Sequence, residues 1–139
     1  MLAAATLAAA GIVQAGETPA AQTTTSVLDG AYTEAQATRG ETIYFENCAA
    51  CHGSALEGGD MTPGLTGAVF LANWNDLTLG DLSERIRTSM PLDRPGKLSR
   101  QQTADVIAFV LKSNRWPPGE RDLPADTPSQ KQIKIQPPR

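Results

Sequence analysis

The chain has 139 residues, the length of one domain, and 40% of them are apolar, enough for one small core. A net charge of −3 excludes the general nucleic-acid binder, which needs a clearly basic face, and two cysteines exclude a disulfide-rich scaffold. No uninterrupted run of 18 apolar residues is present, so a conventional membrane-spanning helix is not expected. Aromatic residues make up only 5%, few for such a core, which points to something other than protein filling it.

Residues 1–15, MLAAATLAAAGIVQA, form a short Ala/Leu-rich stretch ending in a small-x-small pattern, Val13-Gln14-Ala15. They are expected to be a secretory signal peptide, although no Lys or Arg precedes the apolar run. Residues 16–30 are Thr/Ala-rich without periodicity and read as a flexible leader. Thr33 then caps a helix whose Ala37, Gly40, Ile43 and Tyr44 share one face and which stops between Asn47 and Cys51. From Gly53 to Gly67 five glycines and Pro63 describe an irregular loop.

Thr78 and Asp81 form a capping box, and Leu79, Leu82 and Ile86 make the stripe of a second helix ending by Ser89, before Pro91. Residues 91–98 are another loop. Ser99 and Gln102 cap a third helix to about Ser113, with Ala104, Ile107, Val110 and Leu111 on its core face. Pro117-Pro118-Gly119 stops the chain there, and residues 126–139, with three prolines, are expected as a loose tail. No alternating strand is visible. The reading is all-α, with one folded domain over residues 31–125.

The chemistry is concentrated in Cys48-Ala49-Ala50-Cys51-His52. Two thiols three residues apart can add to the two vinyl groups of one porphyrin, and the next histidine is carried under the ring to the iron. Both cysteines and the lone histidine of the chain lie in this run. A thiol–disulfide site would sit in a thioredoxin-like alternation that is absent, and a zinc site lacks a second ligand pair. A structural disulfide would leave His52 a coincidence. The expected cofactor is one covalently attached haem c, and its maturation outside the cytoplasmic membrane agrees with export.

With that motif, the chain over about residues 33–123 resembles the class I c-type cytochromes, small all-α proteins whose helices pack around one haem. Gly40 and Tyr44 match the small residue and aromatic of the family's first helix, which crosses a C-terminal helix carried here by Val106, Phe109 and Val110. Pro63-Gly64-Leu65-Thr66-Gly67 resembles the family's Pro-x-Leu-x-Gly loop, which implies that the Pro63 carbonyl accepts a hydrogen bond from the His52 imidazole. Met90-Pro91 resembles the distal-ligand loop. The ending AFVLKSNRWPPGERDLP is similar to that of cytochromes serving bacterial periplasmic dehydrogenases. Tyr44, Phe109 and Trp74 read as packing residues rather than electron relays.

The resemblance implies a periplasmic carrier of single electrons, a subunit or acceptor of a dehydrogenase, with an oxidase or another cytochrome downstream and any membrane association running through a partner. The other class of reading is a small-ligand sensor or peroxidase with an open sixth coordination position. For the distal ligand, Met61 and Met90 remain once Met1 is assigned to the signal segment. Met61 lies nine residues after His52, and that much chain can span roughly 30 Å. The same loop must set Pro63 beside His52, however, so Met61 cannot readily reach the opposite face. Met90 has no such conflict. Charge is also uneven: ten acids against one base in residues 1–84, eleven bases against five acids in 85–139. This arrangement either orients docking to a partner or is mixed away by the fold.

Overall fold

Thr33 starts the first long helix, its hydroxyl accepting the Gln36 N–H at 3.1 Å. This cap satisfies one of the orphan donors of the first turn, and α1 then runs Glu34–Asn47. A single further turn, α2 (Ala49–His52), follows at once. The remaining helices are α3 (Gly67–Trp74), α4 (Leu79–Ser89), α5 (Arg100–Ser113) and the short α6 (Thr127–Gln130). This computed structural model describes residues 23–138. The expected signal peptide and residues 16–22 of the leader lie outside the described residues. Among those described, the elements are helical and no strand is formed beyond isolated bridges. None of these helices is long and apolar enough to cross a membrane.

Both expected capping boxes are present: Thr78 with Asp81 starts α4, and Ser99 with Gln102 starts α5. The main packing contact is α1 across α5. It depends on Gly40, because a Cβ there would lie 1.7 Å from the Asp105 carbonyl oxygen. Tyr44 and Phe109 meet beside this crossing with ring centroids 5.2 Å apart. Arg39 ties the two helices at their edge, with Nε 3.3 Å from Asp105 and Nη2 2.6 Å from Asp122. Ala37, Tyr44, Ala104, Ile107, Ala108 and Leu111 fill the interior between them.

The structure corrects three expectations. Residues 67–74, for which no element was expected, form α3, and its Phe70 is buried against Trp116 at 6.0 Å between centroids. Residues 126–138 are not a loose tail. Asp126 caps α6, and the chain beyond it runs extended between residues 25–27 and 76–79. Lys134 donates to Thr25 O and accepts from Val27 N, while Ile135 exchanges bonds with Leu77 and Asp76, all at 2.8–2.9 Å. Ile133 and Ile135 point inward, with Ile135 fully buried. Burying two isoleucines and satisfying the backbone outweighs the entropy of fixing the segment. The same contacts fix residues 25–30 of the leader, where Val27 is fully buried. The folded unit therefore extends on both sides of residues 31–125.

Candidate haem site

The attachment motif is built at the end of α1. Cys48 N–H still bonds Tyr44 O at 2.8 Å, but the Cys48 carbonyl accepts from both Cys51 N and His52 N, at 3.1 and 2.9 Å. That closes the turn of α2 and sets residues 48, 51 and 52 on one face, at the three- and four-residue spacing of a helix. Gly53 ends the turn with φ +83°, a conformation open to glycine, and its carbonyl accepts the Tyr44 hydroxyl at 2.7 Å. Burial, with the neighbouring Cys48 and Glu57 charges behind it, pushes the Tyr44 phenol up to about 12, so it remains a donor at neutral pH. Cys51 is exposed and Cys48 half-buried, and neither is in a disulfide.

His52 is buried, and its Nδ1 lies 3.0 Å from the Pro63 carbonyl oxygen. A carbonyl only accepts, so Nδ1 carries the proton and Nε2 is left with its lone pair free. The loop that brings Pro63 back is tightly closed. Gly58 N bonds His52 O and Leu65 N bonds Leu56 O, both at 2.8 Å. Gly58 sits at φ +76° so close to the returning strand that a Cβ would meet Gly64 N and Thr62 O at 2.5 Å. Met61, at the tip of this loop, is 95% exposed.

Met90 lies elsewhere, as the C-cap of α4. Its N–H bonds Ile86 O at 2.9 Å while its own dihedrals are extended, φ −123° and ψ 152°, as expected of a residue before proline. Its side chain is half-buried and Pro91 is buried, whereas Leu92 beyond it is 78% exposed. Leu65, Leu71, Trp74 and Ile86 are only partly covered and rest on the core.

Sequence reasoning missed three features of the site: the Tyr44–Gly53 bond, the close approach at Gly58, and Asn114. Asn114 is buried at the end of α5, and its amide donates to Leu65 O and Val110 O and accepts from Gly67 N, each at 2.9 Å. In sequence it is indistinguishable from an ordinary polar residue after a helix.

This donor set fits a haem. Two unpaired thiols and an imidazole share one turn, the imidazole is oriented by a carbonyl with Nε2 left to bind iron, and apolar side chains beside it lack full cover. Burial, then the Cys51 charge, pushes the Cys48 thiol up to about 11. Fold and motif together define a c-type cytochrome. Residues 35–110 match the family described as cytochrome c oxidase, cbb3-type, subunit III, and the chain belongs to that family. Its cofactor is one covalently bound haem c with its iron.

Among solved structures the chain is similar to one in the sulfane dehydrogenase SoxCD from Paracoccus pantotrophus, at 27% identity and a TM-score of 0.51. The match covers 70% of this chain and 52% of that one, so this chain spans about half the length of its structural relative. Among curated proteins no match is found.

Proposed function

We propose that this protein is an exported, periplasmic carrier of single electrons that serves a dehydrogenase as subunit or acceptor and is not itself an enzyme. The observation that carries the reading is the His52 Nδ1–Pro63 O bond, which fixes the imidazole and frees Nε2 as a ligand. When bound, the haem supplies a reversible one-electron couple at its iron. His52 and Met90 would hold the iron, and two protein ligands would leave no position for a substrate, while a thioether ligand would favour the reduced state. Cys48 and Cys51 anchor the ring, so the cofactor stays with the chain through repeated oxidation and reduction. Similarity to a chain of a sulfane dehydrogenase supports a dehydrogenase as partner, and the expected signal peptide supports the periplasm.

The ferrous holoprotein tests the reading. It is expected to resist carbon monoxide at neutral pH, and to co-elute with a dehydrogenase or a second cytochrome when purified from native periplasm and membranes. Rapid carbon monoxide binding would move the protein to the sensor or peroxidase class.

A further inference from the structure

We infer that Asn114 is a positioning residue for the axial imidazole, acting through the Pro63 loop. The inference rests on reading His52 as an iron ligand. Asn114 ends α5, 62 positions along the chain from His52, yet it joins three segments. Its Oδ1 accepts the Gly67 N–H, the first donor of α3, at 2.9 Å. Thr66, at the N-cap of α3, makes no side-chain capping bond, so the distant amide takes that place. Both protons of Nδ2 are used, one on Leu65 O and one on Val110 O.

Leu65 and Gly67 are thereby pinned to the end of the most buried helix, and Pro63 lies two residues before Leu65. On its other side the loop is held by the Leu65–Leu56 backbone bond and the close approach at Gly58. The Pro63 carbonyl is thus fixed from two directions, and its position sets the strength of the Nδ1–H bond. A strong bond gives the imidazole more anionic character and favours ferric iron, so loosening the loop favours the reduced form. The bond to Val110 O is buried and those to Leu65 O and Gly67 N are partly buried, so removing the amide leaves these groups short of a partner and lets the loop shift.

The test compares Asn114→Ala and Asn114→Asp holoproteins with Val106→Ala, which removes buried volume from the same helix about two turns before Asn114. The readouts are the reduction potential and the exchange rate of the His52 Nδ1 proton by NMR. Both Asn114 variants are expected to raise the potential and speed Nδ1–H exchange by roughly tenfold, the scale of one buried hydrogen bond. Val106→Ala should lose stability and change neither. Asn114→Asp keeps the size and the acceptor for Gly67, so it reports should the alanine variant fail to assemble. Unchanged potential and exchange in the folded variant, or equal changes in Val106→Ala, would overturn the inference. Wild-type ferric protein whose His52 ring resonances lack a paramagnetic shift would instead refute the ligand reading.

Discussion

Met90 and Met61 differ in what holds them. Met90 is anchored by the last turn of α4 and by buried Pro91, whereas Met61 projects into solvent from a loop committed to the histidine side. Met90→Ala is expected to abolish the sulfur-to-iron charge-transfer band at the red end of the ferric spectrum and to lower the potential. Met61→Ala should do neither, and the reverse pattern would reassign the ligand. For attachment, haem should stay with the chain through acid–acetone extraction, and Cys51→Ser should leave at most one thioether. The five-residue motif was legible in sequence because thioether chemistry fixes the spacing of its thiols, and the Pro63 loop was legible through its resemblance to the family's Pro-x-Leu-x-Gly loop. Asn114 was not, since its three partners become neighbours only when α5 is packed against the start of α3.

The three long helices announced themselves through local caps, whereas the single turn α6 is also capped locally, by Asp126, and was read as tail. Thr33, Thr78–Asp81 and Ser99–Gln102 satisfy their own first turns, and those three helices begin where the sequence placed them. The start of α3 borrows its cap from Asn114, so no local signal marks it. The Thr78 hydrogen bonds, with Lys131 behind them, hold the Asp81 carboxyl below its ordinary range. The group is depressed in the folded state, so its stabilisation is present above the unfolded value and is lost as pH falls through the folded one. Asp81→Asn should therefore unfold at lower denaturant at neutral pH, with the difference vanishing in acid. Thr78→Ala should cost about 1 kcal/mol. At the α1–α5 crossing, Gly40→Ala drives a methyl into the Asp105 carbonyl and should cost roughly 1–3 kcal/mol or prevent holoprotein assembly, read from the denaturant midpoint.

Over the whole molecule the uneven charge of the chain is partly mixed by folding. Glu34 pairs with Lys112 at 2.7 Å and Glu84 with Lys131 at 3.3 Å, each joining an acid of the first part to a base of the second. These exposed pairs contribute little to stability. The charges left over still test for steering: reduction by a partner should slow as ionic strength rises, and a flat profile removes electrostatics from docking. The clasp formed by residues 133–136 ties the two ends of the described chain to the loop before α4. Ile135→Ala should cost about 2–5 kcal/mol by thermal or denaturant unfolding, where a loose tail would show no change.

The sequence alone determined the haem motif and the three self-capped helices, because each depends on residues a turn or two apart or on a covalent reaction of fixed geometry, and Gly40 at the α1–α5 crossing was legible only through the family resemblance. Only the tertiary structure decided the fate of the ends. Two isoleucines among prolines and polar residues carry no periodic signal, and their burial exists only because residues 25–27 and 76–79 offer edges on either side. The same holds for α3, whose first N–H is satisfied from α5. Contacts between distant segments have no local pattern from which they could be read.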